Sequence, residues 1–219
     1  MAKEKVLIYK RFERFWHWAQ ALLISLLALT GFEIKGSYSL LGFESAVSLH
    51  NFSAVALMIL IVFSIFWHLT TDEWRQYIPT YKNLSAQLKY YTSGIFKGEE
   101  HPVKKTVRRK MNPLQVLSYL GLKLVLVPLL VFSGIFYMSY RFTSGGQLMS
   151  FTPFTLEDIA FWHVLGAYLL VQFTLIHMYM TTTGHTVTEN LRAMLTGYED
   201  LEVEEQEPRE ELDKNLQTN

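Results

Sequence analysis

Five of the seven histidines lie in or at the edges of long apolar runs: His17, His50, His68, His163 and His177. Ionisable groups are costly there, by roughly 2.5–3.5 kcal/mol for charged residues at mid-bilayer on insertion scales, and a neutral imidazole still needs partners for its nitrogens. His163 and His177 share one stretch, FWHVLGAYLLVQFTLIHMYM, fourteen residues apart. On an α-helix that interval advances about 21 Å and rotates about 1400°, roughly 40° short of four turns, so both rings face one side at two depths. Metal ligation uses neutral imidazole in such a setting. Haem iron in particular takes one ring nitrogen and leaves the other free to bond a carbonyl.

These residues must be positioned by membrane spans. Four runs reach the roughly 20 residues that a hydrocarbon core requires, at about residues 16–34, 46–70, 114–140 and 159–182. The expected fold is an all-α integral membrane protein, a four-transmembrane-helix bundle. The first run is longer than the apolar core of a secretory signal and no small-x-small cleavage site follows it, so it reads as a retained span. Lys3, Lys5, Lys10, Arg11 and Arg14 precede that span, and nine more Lys and Arg lie between the second and third, including Lys104, Lys105, Arg108, Arg109 and Lys110. The two other loops carry only Lys35 and Arg141. The positive-inside rule therefore places both termini and the long middle loop in the cytoplasm.

On this topology the histidines sort by depth. His17 opens the first span from the cytoplasmic side and His50 opens the second from outside. The fourth span enters from outside, with His163 at its outer end and His177 at its inner end. The result is an outer pair, His50 with His163, and an inner pair, His17 with His177. Two pairs at two depths suit two haems. A zinc site fits worse, because most of a membrane separates the pairs and neither carboxylate nor thiolate accompanies them. His68 is an alternative inner ligand, but it lies eighteen residues after His50, about 27 Å along a helix, which does not match the roughly 21 Å set by the fourth span. A haem-propionate or quinone contact, or an interfacial position, suits it better.

Other features limit what the chain does. It contains no cysteine, which excludes disulfides, thiolate-held iron–sulfur clusters and covalent C-x-x-C-H haem attachment. Its formal net charge is zero, and it has no Walker motif and no Gly-rich dinucleotide fingerprint. No nucleic-acid partner is expected. Arg14, three residues before His17, is a candidate partner for an inner haem propionate, against the simpler reading of a positive-inside arginine. Lys123, within the third span, either snorkels to the cytoplasm or faces an inner haem or quinone pocket. Pro128 is expected to kink that span, with Ser133 and Gly134 permitting close approach. The tryptophans at span ends fit an aromatic belt. An interfacial helix is expected within residues 81–96 and a short helix over 186–197. His101 and His185 lie in polar segments and are expected to be solvated. The acidic run EDLEVEEQEPREELDKN reads as a solvated tail or as a dock for a basic partner. The chain thus divides into a membrane domain over 1–197 and a cytoplasmic tail over 198–219.

The motifs RFWHWAQALLISLLALTG and LIHMYM, with the His-x13-His spacing, carry a resemblance. The chain resembles the di-haem cytochrome b membrane subunits of the family that includes the formate dehydrogenase gamma subunit and the cytochrome b subunits of nickel-iron hydrogenases and thiosulfate reductases. The resemblance implies two non-covalent b haems in a bacterial cytoplasmic (inner) membrane, with His17 and His177 on the inner haem and His50 and His163 on the outer. It also implies a quinone site, menaquinone or ubiquinone, at Asn112 and Gln115 of RKMNPLQVL, near His68 and Lys123. Pro113 and Leu114 fill the intervening positions, so the local backbone can differ from that of relatives. The expected activity is electron transfer between the quinone pool and an outward-facing iron–sulfur, catalytic or multihaem cytochrome subunit. Such a chain is the quinone-reactive part of a respiratory oxidoreductase complex, with the other substrate's chemistry in its partners. The competing class is a non-redox anchor or proton-coupled carrier, which would be expected to hold acidic residues near the midplane; Glu33 is the only acid close to membrane depth.

Overall fold

The computed structural model describes residues 2–80, 82–99, 102, 110–142, 154–184 and 186–203. His101, His185, the basic run 104–109 and the tail beyond 203 lie outside these residues. The elements in chain order are β1 (Ala2–Leu7), α1 (Arg11–Ile34), α2 (Phe43–Thr70), a 3-10 turn (Glu73–Tyr77), α3 (Leu84–Lys89), α4 (Pro113–Gly121), α5 (Val127–Phe142), α6 (Leu156–Thr181), α7 (Glu189–Thr196) and β2 (Tyr198–Val203). Four helices are long and apolar enough to cross a membrane: Arg11–Ile34, Phe43–Thr70, Pro113–Tyr140 and Leu156–Thr181.

The first, second and fourth begin three to five residues before the apolar runs do, and capping explains the first and the fourth. At α1 the Lys10 backbone N–H donates to Glu13 Oε2 at 2.7 Å, so a charged first turn that hydropathy overlooks is still helix. At α6 the reciprocal box of Thr155 and Asp158 does the same, with bonds of 2.8 and 3.1 Å. The third span starts at Pro113, whose missing N–H costs nothing at a first helical position.

That third span is not a uniform helix. A π turn at Leu122–Leu126 joins α4 to α5 immediately before Pro128. A proline ring crowds the carbonyl four residues back, here Leu124, and the widened turn accommodates it. Residues 84–97 are helical too, passing from α3 into a π turn and a 3-10 turn.

The spans form two hairpins, α1 packed on α2 and α5 on α6. Gly166 permits the second contact, since a Cβ there would stand 3.0 Å from Leu130 Cδ2. Polarity is inverted relative to a water-soluble protein. Thr30, Glu33, Ser53, Ser64 and Ser133 are buried, while Phe15, Leu22, Phe52, Val62, Phe66, Leu124 and Phe132 are exposed. Lipid tails are as apolar as these side chains, so only small and polar groups gain by turning inward.

Only the first six residues of the acidic tail are described. Tyr198–Val203 forms an antiparallel ribbon with Ala2–Leu7, in a register that sets Lys3 opposite Glu202 and Lys5 opposite Asp200. Opposite charges directly across an antiparallel pair are favourable. Lys5 Nζ itself lies over the Tyr198 ring, 5.5 Å from its centre, and both strands lie at the same end of the bundle. The opposite end carries the loop between α1 and α2. There the buried Glu33 carboxylate accepts the backbone N–H groups of Leu40, Leu41 and Gly42 at 2.6–2.8 Å.

Candidate functional site: two histidine pairs between the hairpins

The two hairpins meet through histidines. At the terminal end the rings of His17 (α1) and His177 (α6) have centroids 6.1 Å apart, and at the loop end those of His50 (α2) and His163 (α6) are 6.3 Å apart. Two metal–nitrogen bonds of about 2.0–2.1 Å, each extended by roughly 1.1 Å to a ring centre, sum to about 6.3 Å. Each pair thus has the separation that two axial ligands of one iron require. No cluster of three or more His, Cys, Asp or Glu occurs among the described residues. Haem suits this donor set, because its macrocycle fills the other positions and two imidazoles suffice.

Hydroxyl groups hold the loop-end pair in one tautomer. Thr30 Oγ1 donates to the Leu26 carbonyl at 2.7 Å and lies 2.9 Å from His50 Nδ1. Ser133 Oγ donates to the Leu129 carbonyl at 2.6 Å and lies 2.9 Å from His163 Nδ1. Each hydroxyl hydrogen is committed to its own helix, so each oxygen accepts from the ring. Nδ1 then carries the proton and Nε2 presents its lone pair, the form a metal needs. The following glycine makes room: a Cβ at Gly31 would stand 3.3 Å from His50 Cε1, and one at Gly134 would stand 3.4 Å from His163 Cε1. Thr30-Gly31 and Ser133-Gly134 are thus the same device on two helices. The recurrence of a hydroxyl residue before glycine in spans one and three is the signal that could have revealed it.

The terminal-end pair is held differently. Tyr119 OH lies 3.2 Å from His177 Nδ1, and Phe173 stacks parallel to the His177 ring with centroids 6.3 Å apart. His17 Nδ1 is buried without a hydrogen-bond partner among the described residues. Tyr119 carries no motif, and its role follows only from the packing of α4 on α6.

The remaining predicted residues gather near the terminal end. His68 Nδ1 donates to the Ser64 carbonyl of its own helix at 2.6 Å, and its ring lies against Trp16, Trp67 and Tyr77. Lys123 Nζ sits 3.5 Å from the Tyr77 ring centre and 5.2 Å from that of Trp16, facing inward. Asn112 and Gln115 cap α4: Asn112 Oδ1 accepts the Gln115 N–H at 2.8 Å, Gln115 Oε1 accepts the Asn112 N–H at 3.0 Å, and Asn112 Nδ2 donates to Tyr91 OH at 3.0 Å. Both side-chain oxygens are thereby engaged. Beside this cap lies a cleft of about 270 Å³ lined by Gln76, Ile78, Met111, Pro113 and Val116 among others. Arg14 Nη1 donates to the Leu195 carbonyl at 2.6 Å, which ties α1 to the end of α7, and Trp18 Nε1 adds a longer bond to Met194.

Sequence reasoning missed a charged cluster at this end. Lys110 Nζ bonds Glu13 at 2.6 Å and Glu73 at 3.2 Å, while Lys10 Nζ bonds the other Glu73 oxygen at 2.8 Å. Lys110 is 7% exposed. Burial alone would raise the Glu73 pKa, but the hydrogen bond from Lys10 and the charge of Lys110 hold it below its ordinary value. The bond to Glu73 in turn raises that of Lys10.

The sequence model of the prokaryotic cytochrome b561 family matches residues 8–197. The chain is also 29% identical over 203 residues to the Escherichia coli (strain K12) protein named "Putative cytochrome YdhU", covering 89% of this chain and 75% of that one. The matched region takes in every span and all four paired histidines. This chain is a member of the prokaryotic cytochrome b561 family, the membrane electron-transfer cytochromes that carry haem b.

Proposed function

We propose that the chain binds two b haems, one between His50 and His163 and one between His17 and His177, and carries electrons across the membrane between an outward-facing redox partner and the quinone pool. The observation that carries this reading is the pair of ring separations, 6.1 and 6.3 Å, on histidines fourteen residues apart along one helix. Haem supplies one-electron chemistry at the iron. The chain's own residues set its place and environment. Thr30 and Ser133 fix the ligand tautomer, and Gly31 and Gly134 clear room for the rings. Apolar α1, α2, α5 and α6 keep water away.

The terminal end is cytoplasmic on the distribution of Lys and Arg, which places His17 and His177 on the quinone side. There, Lys123 Nζ and the amide N–H of Gln115 are donors able to meet a quinone carbonyl, His68 Nε2 is an acceptor able to meet a quinol hydroxyl because its Nδ1–H is used by Ser64, and Asn112 shapes the backbone beneath them. Outside the membrane, the partner is an iron–sulfur, catalytic or multihaem cytochrome subunit of a respiratory complex. A proton-coupled carrier is disfavoured, because the one acid at membrane depth, Glu33, already holds three backbone N–H groups. The test is the dithionite-reduced difference spectrum of the purified chain, with its haem content. A b-type α band and two haems per chain are expected; no band, or a single haem, contradicts the reading.

A further inference from the structure

We infer that Thr30 and Ser133, through the ligand histidines, and Lys123, through its charge, set the loop-end haem to a lower reduction potential than the terminal-end haem. The inference rests on the two-haem reading above. A hydrogen bond accepted from Nδ1–H makes imidazole a stronger electron donor, which favours ferric iron and lowers the potential. At the loop end both rings make such a bond, each 2.9 Å long, to a hydroxyl that can only accept. At the terminal end His177 has one contact of 3.2 Å and His17 Nδ1 has none among the described residues.

Fixed charge acts in the same sense. Lys123 lies on the third span one helical turn from Tyr119, which holds His177, and against Trp16, the neighbour of His17. Among the described residues no carboxylate pairs with it, so its positive charge favours the reduced, less positive iron at that end. At the loop end the buried charge is negative: Glu33 lies one turn beyond Thr30 and is 6% exposed. Lys35 lies nearby but is exposed, with its ammonium on Tyr168 OH, so solvent screens it. Ligand hydrogen bonding and charge thus separate the potentials in the same direction. Thr30, Ser133 and Lys123 are positioning and tuning residues that act through the ligands and do not themselves touch the iron.

Optical redox titration of the two-haem protein tests this, with each wave assigned by its loss in His163→Ala or His177→Ala. The lower-potential wave should be the one lost with His163. Thr30→Val with Ser133→Ala should shift that wave upward and leave the other in place. Thr30→Ser with Ser133→Thr should keep the wild-type value. Lys123→Met should shift the His177-dependent wave downward. Because removing both hydroxyls could release the haem, Ser133→Ala alone is titrated as well, with His50 still held by Thr30. Fewer than two haems in the wild type overturns the two-haem reading and this inference with it. Two haems with the His163-dependent wave the higher, or unmoved by Ser133→Ala, overturn the inference alone.

Discussion

On the proposed reading a ligand histidine keeps one nitrogen protonated and turns the other to the metal, and Thr30 beside His50 and Ser133 beside His163 are placed to achieve this. The pairing of His17 with His177 and of His50 with His163 could be read from the sequence, because depth follows from topology and helix rise alone. The hydroxyls could not, because Thr30 and Ser133 reach rings on neighbouring helices and that depends on rotational phase across a contact. Arg14, a candidate for a propionate from its position, spends Nη1 on the Leu195 carbonyl, while its Nε is buried without a partner among the described residues. Clearance is equally local. Gly134→Ala would press a methyl against a ring that now lies 3.4 Å from the built Cβ, so haem content should fall toward half while the fold persists. Haem per chain and the circular dichroism spectrum check this, and full haem occupancy would show that His163 has room to yield.

At the scale of elements, ends matter as much as apolar faces. Asn112 and Gln115 were singled out as a quinone motif, and the structure gives them a reciprocal cap on α4. Losing such a cap costs about 0.5–2 kcal/mol, so Asn112→Ala should lower thermal stability in detergent by this order as well as altering any quinone response. An Asn112→Asp variant keeps the cap and separates the two roles. The charged cluster joins the start of α1, the turn after α2 and the segment just before α4. Lys110→Met leaves Glu13 and Glu73 without their buried cation and should cost about 3–5 kcal/mol. Lys10→Ala, half-exposed, should cost about 0–1 kcal/mol.

The pH dependence of this cluster follows from its signs. Glu73 is depressed, so its contribution is full above 4.5 and is lost as pH falls through its lower native value. Lys10 is raised, so its contribution is full below 10.5 and is lost as pH rises through its higher native value. Thermal unfolding across pH should therefore show a stability plateau between these limits that Lys110→Met reduces. An unchanged profile in that variant would mean that the ion pairs contribute little. None of this was legible beforehand, since a charged loop residue gives no sign of which distant carboxylate it meets.

For the whole molecule, the spans and their hairpin order were legible because hydropathy reports on lipid exposure and all four spans turn Phe, Leu, Ile and Val outward. The terminal ribbon was not, because a run of acids reads as solvated unless its partner is known. Lys5 of β1 stands opposite Asp200 in the register, nearly two hundred residues away. That ribbon, with the Arg14 and Trp18 bonds to α7, ties the segment before His17 to the segment after His177, so closure of the chain supports the terminal-end pair.

The central claim is that four histidines make two sites, each spanning both hairpins. Haem content of paired double variants tests it directly. His50→Ala with His163→Ala removes both ligands of one site and should leave one haem per chain, as should His17→Ala with His177→Ala. His163→Ala with His177→Ala takes one ligand from each site and should leave none. Retention of a full haem in that last variant, or loss of both in the first two, would contradict the pairing.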